Sequence, residues 1–246
     1  MPTPMPGMAE AVMTLDLYSG AMDWERVYRT FHDPARVAVE IDRALCGGNG
    51  PVIFAGFQET ASHLADAYPV TFIDYSPAIT AHARQQYPDL EAVLTGDVTR
   101  LVGTLAHPHV VIACRLSAYW DSQTDLERLA DSLRTAPRDT VLIDFFDLDQ
   151  IEPGQRFLFD AADGRGEWEV LELAPPAGKE PDFNRVKMRV SYRFDDHSFS
   201  YVGARSFFRQ QAIWRWSESN FPDYTLALGP PLLDRDPGFS LRLTRK

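Results

Sequence analysis

Between residues 51 and 146, short unbroken apolar runs alternate with segments whose apolar side chains return every three or four positions. The runs are Pro51-Val-Ile-Phe-Ala55, Val70-Thr-Phe-Ile-Asp74, Leu90-Glu-Ala-Val-Leu94, His109-Val-Val-Ile-Ala-Cys114 and Thr140-Val-Leu-Ile-Asp-Phe-Phe146. Apolar runs of this length without alternation belong to strands covered on both faces. The intervening segments predict helices over about 59–68, 76–87, 98–105 and 125–134, the last with Leu126, Leu129 and Leu133 on one face. Ser76-Pro77 has the cap residue and first-turn proline of a helix start. Five strands separated by helices predict a parallel sheet with right-handed crossovers.

On either side the period changes. Upstream, residues 9–46 carry Leu15, Leu17, Tyr18, Met22, Trp24, Tyr28 and Phe31 at helical spacing. Asp33-Pro34 then opens a second helix that runs through Val37, Ile41 and Leu45 to Gly47-Gly48-Asn49-Gly50. Tyr18, Trp24 and Tyr28 suit either a lid over a pocket or a helix face buried on the core. Past residue 150 the period shortens to two. Trp168-Glu-Val-Leu-Glu-Leu173 and Lys187-Met-Arg-Val-Ser-Tyr-Arg-Phe194 alternate, and Asp195-Asp-His-Ser198 turns into Phe199-Ser-Tyr-Val202. These predict an antiparallel lobe. A helix over 207–220 and strands at Thr225-Leu-Ala-Leu228 and Phe239-Ser-Leu-Arg-Leu243 close the chain. The expected division is an N-terminal helical lid (1–46), a core (47–150), a β insertion or substrate lobe (151–205) and a closing helix with a strand pair (206–246).

Composition narrows the function classes. The net charge is −11, and the arginines are spread singly from Arg26 to Arg245. Nucleic acid and anionic membrane surfaces need a clustered basic footprint, so both are disfavoured as partners. No apolar run approaches the ~18–20 residues of a membrane span. The N-terminal Met1-Pro-Thr-Pro-Met-Pro-Gly7 has neither the basic nor the apolar part of a secretory leader, so a cytoplasmic location is expected. Cys46 and Cys114 lie on unlike elements, and His32, His63, His82, His107, His109 and His197 show no metal-ligand spacing. No metal is expected.

The candidate chemistry lies at the carboxyl ends of consecutive strands, where open α/β sheets bind ligands. Gly56 follows the first strand; it either lets backbone approach a ligand or serves an ordinary turn. Asp74 ends the second strand; it either accepts from both hydroxyls of a ribose or caps the helix at Ser76-Pro77. Gly96-Asp97 follows the third strand, where a carboxylate could accept from an adenine amino group.

The order Gly56, Asp74-Tyr-Ser-Pro77, Gly96-Asp97 and Val110-Val-Ile-Ala-Cys114, followed by a fifth strand and an antiparallel C-terminal pair, resembles the class I S-adenosylmethionine (SAM) methyltransferases over roughly residues 15–246. The resemblance implies a Rossmann-like α/β fold. Its mostly parallel seven-stranded sheet would have an antiparallel C-terminal strand, with an N-terminal helical lid and a small antiparallel β insertion. It implies SAM as cofactor and a small-molecule acceptor, amino-acid-like or a secondary metabolite. It puts the ribose on Asp74, adenine beside Tyr75, Asp97 and Val98, and the methionine part near Gly56 and Cys114, with Tyr28 closing over the cofactor. It also puts Arg115, Tyr119 and Asp121 at the reacting end. Arg115 would pair a carboxylate, Tyr119 and Trp120 would line the sulfonium, and Asp121 would orient an amine or cap the next helix. A homodimer is a further expectation.

One stretch departs from the family pattern. Where the family has acidic-apolar-Gly-x-Gly-x-Gly, this chain has Phe54-Ala-Gly-Phe-Gln-Glu-Thr60. Gln58 and Glu59 could instead bond the methionine ammonium. The change keeps two other readings open: an intramolecular SAM cyclase releasing methylthioadenosine, and a member of the fold that has lost its cofactor or its catalysis. It disfavours a nicotinamide enzyme, whose pyrophosphate depends more strictly on that glycine turn.

Overall fold

A computed structural model describes residues 23–46, 48–120, 123–161, 164–173, 183–196, 198–233 and 237–246. Tyr18, Asp121 and His197 lie outside the described residues. In chain order, α1 (Trp24–Arg29) and α2 (Pro34–Leu45) precede β1 (Val52–Ala55), α3 (Gln58–Ala65), β2 (Val70–Asp74), α4 (Pro77–Gln86) and β3 (Ala92–Thr95). There follow α5 (Val98–Leu101), β4 (His109–Ile112), a 3₁₀ turn at Leu116–Tyr119, α6 (Gln123–Arg134) and β5 (Thr140–Phe146). The lobe is β6 (Arg156–Ala161), β7 (Gly164–Leu173), β8 (Phe183–Phe194) and β9 (Ser198–Phe208). The chain closes with α7 (Gln210–Asn220), β10 (Tyr224–Gly229) and β11 (Gly238–Arg245).

The large sheet runs in the order β10-β11-β5-β4-β1-β2-β3. β1 to β5 are parallel, and β11 lies antiparallel between β5 and β10. This is the expected seven-stranded sheet with its antiparallel C-terminal strand. The central strands β1, β2, β4 and β5 are buried at every residue, which explains their unbroken apolar sequences. Chain direction across the sheet switches between β1 and β4, so the two loops leaving them part and open a crevice at the carboxyl edge. α2 begins as its sequence predicts: the Asp33 carboxylate accepts from the amides of Ala35 and Arg36, with Pro34 in the first turn. Its buried face is Val37, Ala38, Ile41 and Leu45.

The second sheet, β6-β7-β8-β9, is antiparallel throughout. One face packs through Phe159, Trp168, Val170, Val186 and Phe207 against Phe146 and Leu148 at the end of β5. The lobe differs from expectation at two places. The sequence pattern does not predict β6, because Arg-Phe-Leu-Phe-Asp-Ala mixes charge with apolar residues and becomes a strand only through pairing with β7. β9 continues through Phe207 and Phe208, where the sequence predicts the start of a helix, because both rings are taken into the core. No helix among the described residues is long and apolar enough to cross a membrane.

Candidate functional site

Two neighbouring cavities open at the carboxyl edge of the large sheet. The first, a cleft of about 340 Å³, is lined by Asp74, Tyr75, Gly96, Asp97 and Val98 on one side and by Leu116, Tyr119 and Trp120 on the other. The fold thus brings together the residues expected to hold a nucleoside. Asp74 is only 8% exposed and accepts from the amide of Ser76 at 2.7 Å. Burial pushes its carboxyl up to about 6, and that single amide bond opposes the rise. Ser76, rather than Asp74, caps α4, through its hydroxyl to the amide of Ile79. Asp97 divides its oxygens: one accepts from the amide and hydroxyl of Thr99, and the other faces Arg128 and Arg100 at 3.5 and 3.6 Å. Tyr75 is half-exposed at the rim.

The second cavity, about 40 Å³, lies between the core, the N-terminal helix and the β lobe. Cys114, Arg115, Ala118, Tyr119 and Phe146 form its floor, and Val27, Tyr28 and Phe31 of the N-terminal region cover it. Trp168, Met188, Val190, Tyr192, Tyr201 and Arg205 come from the lobe. Tyr119 is common to both cavities and stands between them. Its ring lies 4.4 Å beneath the guanidinium of Arg205, which also donates to the Tyr201 hydroxyl at 3.0 Å. Trp120 instead turns inward, edge-on to Phe145 and Phe208.

The turn that separates the cavities is held from below. Cys114 and Arg115 both adopt left-handed backbone conformations, with φ of 58° each, which side-chain-bearing residues rarely do in succession. Asp144 on β5 holds them there. Its carboxylate accepts from the Arg115 amide at 3.0 Å and faces the Arg115 guanidinium at 3.2 Å, while its carbonyl accepts from the Ser117 hydroxyl at 2.6 Å. Burial pushes the Asp144 carboxyl up to about 6, with Arg115 opposing. Gly238 leaves room for this pair: a Cβ there would stand 2.6 Å from the guanidinium carbon and from the Phe145 carbonyl oxygen. The carboxylate found for Arg115 is therefore one of the protein's own. Burial and the nearby Asp144 push the Cys114 thiol up to about 12, so it stays protonated.

The altered turn after β1 is engaged by the lid. Phe57 stacks on Tyr28 at 4.7 Å, and Glu59 takes two hydrogen bonds of 2.8 Å from Arg29. Glu25 accepts from Tyr87 and meets His82 at 3.0 Å, and Arg26 reaches Asp196 in the lobe at 2.9 Å. α1 therefore straps core and lobe together. Phe57 and Glu59, at the variable positions of this turn, serve the strap, and Glu59 is committed to Arg29. Gln58 and Thr60, which replace the family's glycines, are buried. Gly56 has a reason of its own, with φ 156° and a would-be Cβ 2.9 Å from the Ala113 carbonyl oxygen.

Sequence reasoning missed several residues of the site. Trp168, Met188, Tyr192 and Tyr201 were visible only as inward positions of alternating strands, with nothing to say what they face. Asp144 is a carboxylate inside an apolar strand, and the partner that explains it lies 29 positions away. Asp147 does not line either cavity; it accepts from Asp149, Gln150 and Gln210 and pins the end of β5.

No family model matches the chain, and no curated protein matches it in sequence. Solved structures do match. DesVI of Streptomyces venezuelae superposes with a TM-score of 0.70 at 13% identity, over 92% of this chain and 99% of that one. SAM-bound CalS10, an amino pentose methyltransferase from Micromonospora echinaspora, gives 0.68 at 14% identity over 91% and 96%. The Burkholderia thailandensis 1,6-didemethyltoxoflavin-N1-methyltransferase gives 0.53 at 16% identity over 100% and 93%. The chain shares the fold of these proteins. At such identities the likeness concerns architecture, and the expected Rossmann-like sheet with its lid and lobe is the architecture found.

Proposed function

We propose that this chain is a SAM-dependent methyltransferase acting on a small-molecule acceptor. The observation that carries the reading is Asp74. Its nearly buried carboxylate faces a cleft of nucleoside size and has one amide partner from its own chain. A carboxylate placed so unfavourably is relieved by a ligand that donates two hydrogen bonds, as a ribose diol does. The residues around it suit the rest of a nucleoside. Tyr75 covers a face of the base, Asp97 lines the cleft beside it with its outer oxygen shared, among the described residues, only with two arginines at 3.5 and 3.6 Å, and the Val98 amide at the start of α5 has no acceptor within its helix. The floor formed by Cys114 and Arg115 continues the cleft toward the second cavity, where the acceptor would lie.

Bound there, SAM would supply an electrophilic methyl group whose leaving group is neutral, so the protein has to align the partners and exclude water. Tyr119 stands at the junction of the two cavities, α1 covers the acceptor side, and Asp144 keeps the intervening turn in place. Asp121 lies outside the described residues and keeps the role its position implies, orienting an acceptor or capping α6. The neighbours include proteins whose names specify methyl transfer to an amino pentose and to a heterocycle, which supports a small-molecule acceptor.

Incubation with SAM, with and without candidate acceptors, followed by mass spectrometry of the nucleosides, tests this reading. S-adenosylhomocysteine formed only with an acceptor is the expected result. Methylthioadenosine formed with SAM alone would replace methyl transfer by cyclisation, and failure to bind SAM in calorimetry would defeat both.

A further inference from the structure

We infer that Asp125, at the start of α6, is a positioning residue for the base end of the cleft: it draws the Arg128 guanidinium to itself and so keeps an oxygen of Asp97 available to a ligand's amino group. The inference rests on the cofactor reading above and adds a residue to it. Asp97 precedes α5, Asp125 lies in the first turn of α6, and both line the cleft. One nitrogen of Arg128 stands between them, 2.8 Å from Asp125 and 3.5 Å from Asp97. The two carboxylates are therefore close neighbours that share a single cation.

The balance between these two contacts decides what Asp97 can do. Its inner oxygen is occupied, accepting from the amide and the hydroxyl of Thr99 at 2.9 and 2.7 Å. Its outer oxygen faces Arg128 at 3.5 Å and Arg100 at 3.6 Å, both beyond the roughly 2.7–2.9 Å of a charge-assisted hydrogen bond. The Arg100 side chain is 69% exposed, so solvent screens that contact. Arg128 is better shielded and is the cation able to cover the outer oxygen. Asp125 outcompetes Asp97 for it on two counts. The Asp125 contact is shorter, and the Asp125 side chain is 19% exposed against 42% for Asp97, so water weakens its attraction less.

An adenine presents an amino group, which donates, where a hypoxanthine presents a carbonyl, which accepts. The outer oxygen of Asp97 complements the first. Arg128 closed onto that oxygen would occupy it and turn N–H donors toward the base, which complements the second. Asp125 thus acts on base preference through Arg128. A carboxylate in a first helical turn also suits the helix dipole, but that role alone predicts a change in stability with no change in base preference.

The test measures binding of S-adenosylhomocysteine and S-inosylhomocysteine to the full chain by calorimetry. The wild type should prefer the adenine compound by at least about tenfold. Asp125→Asn releases Arg128 onto Asp97 and should weaken S-adenosylhomocysteine about fivefold or more without weakening S-inosylhomocysteine. Adding Arg128→Gln to Asp125→Asn removes the covering cation and should bring the preference back to within about threefold of the wild type, a recovery that a structural defect would not show. If Asp125→Asn does not fold, Asp125→Ser, which removes the charge and suits a helix start, takes its place in both arms. Equal binding of the two nucleosides by the wild type overturns the inference while the cofactor reading stands. So does an Asp125 variant that leaves the preference unchanged or weakens both compounds alike, or a double variant no better than the single one. A wild-type chain that does not bind S-adenosylhomocysteine defeats the cofactor reading and this inference with it.

Discussion

Replacing Asp74 by asparagine separates the cost of burying a carboxylate at the cleft from the use made of it. The side chain is 8% exposed, and burial moves its carboxyl from 3.8 to about 6. A displacement of that size corresponds to about 3 kcal/mol at 1.36 kcal/mol per pKa unit. The folded protein holds this proton more tightly than the unfolded chain does. Stability from this group is therefore full below about pH 4, falls between about pH 4 and pH 6, and stays low above that. Asparagine cannot ionise, and its carbonyl oxygen can still accept from the Ser76 amide. The unliganded variant should therefore match the wild type at pH 4 and exceed it at pH 8 by about 2–3 kcal/mol, or roughly 5–10 °C in Tm for a chain of this length. Thermal and urea unfolding at pH 4, 6 and 8 measure the difference directly. In calorimetry the same variant should bind S-adenosylhomocysteine about 10–100-fold more weakly, because a hydrogen bond to a charged group is exchanged for one to a neutral amide. Equal stability at pH 8 would refute the buried-carboxylate argument, and unchanged affinity would refute the ribose assignment.

Three further outcomes follow from the geometry. Gly238→Ala should lose about 1–3 kcal/mol in urea unfolding, because its methyl would crowd both the Arg115 guanidinium and the Phe145 backbone. Glu59→Gln should leave global stability within about 1 kcal/mol, since Arg29 is largely exposed, yet hydrogen exchange should show faster opening of α1. His32 is buried with neither ring nitrogen hydrogen-bonded among the described residues, and burial lowers its pKa to about 3. Its contribution is present above about pH 6.5 and lost as pH falls toward 3, so His32→Phe should gain on the wild type in Tm as the pH drops from 7 to 4.

The central architecture is legible in the chain's local patterns. β2 and β5 were readable to the residue because both are buried at every position and bounded by turn or cap residues. α2 and α4 were readable from Asp33-Pro34 and Ser76-Pro77, whose caps act within three positions of themselves. Asp74, Tyr75, Gly96 and Asp97 shared a cleft for the same reason: parallel order puts every strand's carboxyl end on one edge. The remaining features depend on partners far apart in the chain. Alternation marked Trp168 and Tyr192 as inward without saying that Tyr119 and Tyr28 would close the same cavity with them. The left-handed pair at Cys114 and Arg115 follows from no local preference; Asp144, on the next strand, holds it. Nothing local to Phe57 and Glu59 in the altered turn after β1 indicates that α1 stacks Tyr28 on the one and clasps the other with Arg29. Spacing of two or three to four residues encodes the face an element buries. Which faces meet, and what chemistry they enclose, is set by packing between elements.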